Sequence, residues 1–212
     1  MQKAVKRTYV VGLGGPSCTG KSSVAEQVAN RMKGRVLSME SYYRDLSHMA
    51  AEERPKQNFD SPDAVDHALL ATQLAEFAAG NDVDVPIYDF SAHTRESRTT
   101  HVSWAPVLIV EGILVLHWPE LRKHFDLSVY LDAPDEVCYH RRKVRDIVER
   151  QRSRDFILKQ YEETVRPMAE RYIRPTRSYA DVVINSQKAL SEVESELLAA
   201  IRTRVEQKID DF

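Results

Sequence analysis

Two periodicities take turns along this chain. Short and mostly apolar runs at residues 8–13, 35–38, 107–110, 127–131 and 180–184 have strand character. Between them, apolar residues recur at helical spacing. Val24, Ala25, Val28, Ala29 and Met32 mark a helix over 22–32. A second helix is expected from Asp63, as its cap, to about Ala79, closed by Gly80-Asn81-Asp82. Two more span about 134–150 and 154–173, and an amphipathic helix covers about 188–208. Residues 83–88 and 98–102 alternate apolar and polar around Pro86 and suggest an inserted β-ribbon. Strands alternating with helices argue for an α/β fold: a parallel five-stranded sheet with flanking helices, of the phosphate-loop, nucleoside-monophosphate-kinase-like plan. The expected organisation is one domain over 1–212, with the ribbon at 83–103, a basic helical lid at 140–160 and a C-terminal helix at 188–210.

Composition narrows the class without naming a chemistry. The 212 residues are 42% hydrophobic and 29% charged, with a net charge of −2. That balance is ordinary for a globule and gives no overall attraction to nucleic acid or anionic membrane. Two cysteines, Cys18 and Cys138, form no disulfide framework, so a reducing, cytoplasmic setting is expected. No apolar run approaches the ~20 residues that span a bilayer. Met1 to Arg7 has no apolar segment behind it and does not read as a signal peptide. No His/Cys cluster has metal-ligand spacing, and no structural zinc is expected.

The chemistry begins at residues 15–23, Gly15-Pro16-Ser17-Cys18-Thr19-Gly20-Lys21-Ser22-Ser23. This is G-x-x-x-x-G-K-S between a strand and a helix. Its glycines let backbone N–H groups curl around phosphate, Lys21 brings a cation to the β and γ phosphates, and Ser22 offers a hydroxyl to Mg²⁺. The helix dipole adds to the anion site. Glu111, at the end of an apolar strand, is placed either as a metal-supporting acid or as a solvated strand terminus. Residues 141–154 hold seven cations against two acids. Arg141, Arg145 and Arg152 would share one face if the helix ran through. The stretch suits mobile cations over a transferring phosphoryl group, or a solvated charged helix. It lacks the interleaved aromatics of a nucleic-acid patch. Glu40, just after the second strand, could take the proton of an acceptor hydroxyl. Tyr43, Phe59, Tyr88 and Phe90 could wall a slot for a flat base, or simply pack in a core.

With these residues in view, the chain resembles the uridine–cytidine kinases from about Tyr9 to Ile184. The matching motifs are the phosphate loop, Ser41-Tyr42-Tyr43-Arg44-Asp45, Asn58-Phe59-Asp60-Ser61-Pro62-Asp63-Ala64, Pro86-Ile87-Tyr88-Asp89-Phe90 with His93, Glu111-Gly112-Ile113-Leu114, Arg142-Lys143-Val144-Arg145-Asp146 and Gln160-Tyr161. The resemblance implies transfer of the γ-phosphoryl of ATP (or GTP), with Mg²⁺, to the 5′-hydroxyl of uridine or cytidine in pyrimidine salvage. It implies that Asp60 holds the ribose with Arg142 and Gln160, that Tyr88, His93 and Arg152 read the base, and that Arg145 and Arg150 close on the phosphates. Lys21, Ser22 and Glu111 would manage triphosphate and metal. The partner would be a small nucleoside, with neither nucleic acid nor membrane, and the assembly a homotetramer. Three positions depart from the family pattern. Glu40 stands where the family has aspartate, Gln151 where the lid has glycine, and Asn185-Ser186-Gln187-Lys188 where it has Pro-Arg-Gly. These departures keep two other readings open: a kinase of another small hydroxylated acceptor, and a catalytically weak nucleotide-binding regulator.

Overall fold

In a computed structural model, residues 7–210 are described. The reading of Met1 to Arg7 as lacking a signal peptide therefore falls almost wholly outside them. Five strands form one parallel sheet: β1 (Tyr9–Gly14), β2 (Arg35–Ser38), β5 (Val107–Glu111), β6 (Leu127–Asp132) and β7 (Val182–Asn185), in the order β2-β5-β1-β6-β7. The central strands β1 and β5 are buried along nearly their whole length, as expected for strands covered on both faces. Alternate residues feed opposite layers. Val10 and Leu108 pack with Leu70, Leu74 and Phe77, whereas Val11 and Ile109 pack with Val24, Val28, Leu197 and Ile201.

The helices are α1 (Lys21–Arg31), α2 (His67–Ala78), the short α3 (Pro119–Arg122), α4 (Asp135–Val148), α5 (Arg154–Gln160), the single turn α6 (Arg166–Met168) and α7 (Leu190–Asp210). α2 begins later than its sequence suggested. Asp66, not Asp63, caps it by accepting from Leu69 N at 3.2 Å, while Asp63 sits in a separate 3₁₀ turn. The expected helix over 154–173 is not regular either. It widens into π-turns at Tyr161–Val165 and Ala169–Ile173, on either side of α6. Pro167 lacks the N–H that would reach Glu163, and its ring crowds that carbonyl; widening the turn relieves both. Pro175 stands in the same relation to the second π-turn.

β3 (Val83–Asp89) and β4 (Thr94–Val102) form a separate antiparallel ribbon, longer than the sequence pattern indicated, with an irregularity between Pro86 and Tyr88. No helix among the described residues is long and apolar enough to cross a membrane. β1 lies where the strand order reverses, and ligands of open α/β sheets bind in the crevice beyond the strand ends at such a point.

Candidate active site

Three strands end together at that crevice. In the sheet register Glu111 of β5 stands beside Leu13 of β1 and Ser38 of β2. The phosphate loop leaves β1 at Gly15, whose φ is 135° and whose missing Cβ would lie 2.3 Å from Leu131 O. Only glycine fits there. Thr19 Oγ1 donates to Pro16 O at 2.9 Å and closes the loop on itself. Cys18 (φ 65°) and Gly20 (φ 86°) are left-handed, and Gly20 caps α1. Helix α1 thus starts at Lys21, one residue before the apolar pattern. Lys21 Nζ folds back to donate to Pro16 O at 2.8 Å and is buried. Burial pulls its pKa down against the opposing pull of Glu111 and Glu40. Ser22 and Ser23 are exposed in the first turn of α1.

Glu111 is buried, and burial raises its carboxyl pKa, opposed by Lys21 and by hydrogen bonds from Ser38 and Ser22. The Ser22 hydroxyl and the Glu111 carboxylate therefore lie together. Hard oxygen donors beside a buried, charge-hungry carboxylate fit a small divalent cation such as Mg²⁺.

Across the crevice, β2 runs into a 3₁₀ turn at Met39–Tyr42, started by Ser38, whose Oγ accepts from Glu40 N at 3.4 Å. Glu40 lines a cavity of about 690 Å³ together with Ser17 of the phosphate loop. Its charge acts on Lys21, Tyr43, Asp60, Glu111 and Arg145. The same cavity gathers Tyr43, Phe59, Asp60, Tyr88, Phe90, His93, Arg142, Arg145, Arg150, Arg152 and Gln160. Phe59 stacks on His93 at 4.8 Å and meets Tyr43 edge-on at 5.3 Å, and Tyr88 stands edge-on to Tyr43 and Phe90. Tyr43 and Tyr88 are buried in the core with Phe59 packed against it, while Phe90 is 53% exposed, and all four present a face to the cavity. The Tyr88 hydroxyl and His93 Nδ1 are buried without a hydrogen-bond partner. Asp60 is buried at the cavity floor, where desolvation raises its pKa against the charge of Arg142.

One cavity thus joins the phosphate loop, a carboxylate and an aromatic wall. The family model of phosphoribulokinase and uridine kinase matches residues 10–191. The chain belongs to the phosphoribulokinase / uridine kinase family. Within that family it is 43% identical over 182 residues to the uridine kinase of Vibrio atlanticus, covering 82% of this chain and 85% of the relative. It is 42% identical over 191 residues to the uridine kinase of Proteus mirabilis, covering 87% and 90%. Among solved structures, a possible uridine kinase from Bacillus stearothermophilus superposes with a TM-score of 0.60 at 21% identity, over 87% of this chain and 91% of that one. At that identity the likeness speaks for the fold alone.

The basic stretch expected as a lid has two features. First, α4 does not run through it, as the separate helices expected over about 134–150 and 154–173 indicated. It ends at Val148, and Gln151 (φ 52°) turns the chain so that Arg152 N donates back to Asp146 O at 3.0 Å. Arg141 leaves the cluster and donates to Ser186 O at 2.8 Å and Cys18 O at 3.4 Å, tying the phosphate loop to the segment after β7. Second, the remaining arginines are tethered. Asp146, wholly buried, has Arg145 at 2.8 Å, Arg152 at 3.4 Å, and Arg142 and Arg150 at 3.7 Å. Gln160 Oε1 accepts from Arg142 (3.3 Å) and Arg152 (3.1 Å), and Arg142 also donates to Ser17 Oγ at 3.2 Å. Asp146 was not singled out from sequence. Its signal was there, four residues after Arg142 and four before Arg150, the spacing of neighbours on a helix.

Proposed function

We propose that this protein transfers the γ-phosphoryl group of ATP to the 5′-hydroxyl of uridine or cytidine. The observation that carries the reading is that one cavity holds both Glu40 and the base-sized aromatic wall, and opens onto the phosphate loop and the arginine lid. The uridine kinase relatives at 40–43% identity support it.

The residues divide the work by position. Gly15 to Ser23 cradle the triphosphate with backbone N–H groups, and Lys21 places a cation at its β and γ phosphates. Ser22 and Glu111 would hold Mg²⁺, which supplies charge neutralisation on the phosphate oxygens when bound. Asp60, Arg142 and Gln160 bind the ribose. The Tyr88 hydroxyl, His93 Nδ1 and Arg152 offer the base edge the polar partners they themselves lack or can spare, between Tyr43, Phe59 and Phe90. Glu40 accepts the 5′-hydroxyl proton as that oxygen bonds to the γ-phosphorus and the bond to the β-phosphate oxygen breaks. The proton ends on Glu40 and the electron pair on ADP. Arg145 and Arg150 neutralise the charge spread over the transferring group, because such transfer is catalysed by positioning and electrostatics.

By the same family resemblance, the reading extends to one kinase domain, GTP as a second donor, a role in pyrimidine salvage, a homotetramer and a cytoplasmic setting. Purified protein with ATP and Mg²⁺ should form uridine or cytidine monophosphate, followed by chromatography. ADP release no faster with either nucleoside than without one would refute it.

A further inference from the structure

From Ala50 to Gln57 the chain is exposed at every residue except Arg54. The guanidinium of Arg54 is committed to backbone oxygens. Nε donates to Met49 O at 3.0 Å and Nη2 to Ser47 O at 3.2 Å, which close its own loop. Nη1 donates to Ala92 O at 3.2 Å, which reaches the ribbon turn 38 residues away. Ala92 precedes His93. From inside, that turn is organised by Asp89, whose Oδ1 accepts from Ser91 N (2.7 Å), Ser91 Oγ (2.6 Å) and Ala92 N (3.1 Å). His93 leaves the turn at φ 54°. A residue with a side chain holds that conformation only when its surroundings over-determine it.

Arg54 itself does not line the acceptor cavity. The residues beside it, Pro55 to Gln57, form one wall, and Phe90, Ser91 and His93 form another. Arg54 therefore buckles two walls together from behind. The root of β4 is held separately: Arg95 N donates to Asp45 Oδ1, and its guanidinium to Tyr42 O and Tyr43 O. Losing Arg54 would free the turn and leave the ribbon docked.

We propose that Arg54 is a positioning residue for the acceptor: through Ala92 O it sets the place of the His93 ring and the gap between the cavity walls, and so governs binding of the nucleoside base. The proposal rests on the nucleoside-kinase reading. Lysine should not replace it, because an ammonium is a point donor without the planar fork that reaches three carbonyls.

The test compares Arg54→Ala and Arg54→Lys with wild type, all as the full chain. Steady-state kinetics are taken with uridine varied and with ATP varied, alongside thermal melts and histidine-ring NMR titration of the substrate-free protein. KM for uridine should rise about tenfold in Arg54→Ala, the scale of one lost hydrogen bond to a charged donor. KM for ATP should stay near wild type, and Arg54→Lys should recover only part of the loss. The His93 ring should titrate at higher pH in Arg54→Ala. Burial, Arg152 and Arg54 hold its pKa below the ordinary value against the opposing pull of Asp89, and the Arg54 charge is then gone. Should Arg54→Ala fail to fold, Arg54→Gln carries the same comparison. An unchanged KM for uridine, equal rises for both substrates, or an unmoved His93 signal overturns the proposal. The NMR arm needs no substrate. A wild type inactive on uridine and cytidine would sink the nucleoside reading and leave the His93 result to stand or fall by itself.

Discussion

At the scale of single residues, the proposed role of Glu40 as the base carries the largest consequence. Glu40 stands two residues after β2 and lines the cavity, at a position where the family pattern has aspartate. Glu40→Gln keeps the shape and removes the proton acceptor. It should lower kcat by about 10²–10⁴-fold, with a much smaller change in KM for ATP, measured by steady-state kinetics. Glu40→Asp should also lower kcat, because losing one methylene withdraws the carboxylate and misplacement on the ångström scale can cost about 10²-fold. A large gain instead would identify Glu40 as a degraded base.

At the scale of elements, the lid and the ribbon each hold a testable device. Asp146 is the buried hub of four arginines. Asp146→Asn leaves those cations without their shared counter-charge, so it should destabilise the protein by about 3–5 kcal/mol in denaturant titrations and loosen the lid. Gln151 occupies a left-handed turn that glycine adopts without strain. Gln151→Gly should therefore stabilise by about 0.5–1 kcal/mol, the relieved strain less the added freedom of the unfolded chain, seen as a small rise in Tm. In the ribbon, His101 Nδ1 lies 3.0 Å from Asp84 and Nε2 lies 3.3 Å from Asp82. Its hydrogen bond to Asp84 leads in raising its pKa above 6.5. A histidine whose folded pKa is raised contributes stability that is complete below the unfolded pKa and vanishes as pH rises through the folded one. The Tm difference between wild type and His101→Ala should accordingly be present near pH 5.5 and gone well above neutrality.

At the scale of the molecule, the residues proposed for the two substrates interleave along the chain. The phosphate loop and Glu111 sit on the central strands, whereas the aromatic wall of the cavity comes from the segments after β2 and from the ribbon. Ligand binding to the donor half should stabilise the whole fold. At a concentration a hundred times its Kd, Mg²⁺–ATP should add about 2.7 kcal/mol, read as a rise in Tm. Lys21→Ala should remove most of that rise, since Lys21 is the buried cation of the loop.

The alternation of strands and helices and the phosphate loop were legible along the chain, because each rests on local periodicity or on a motif whose spacing is set by backbone geometry. The residues proposed to hold the nucleoside came from the family resemblance. What the sequence left undetermined was longer in range. The return of Arg152 to Asp146 and the diversion of Arg141 to the phosphate loop depend on which buried carboxylate or carbonyl lies within reach. A row of arginines does not announce its partners. Charge patterning along a helix says which side chains share a face, but the cost of burying Asp146 is met only by cations that the tertiary fold brings around it. Local chemistry thus determined the elements and the phosphate loop, and packing decided which charged side chains hold one another in place.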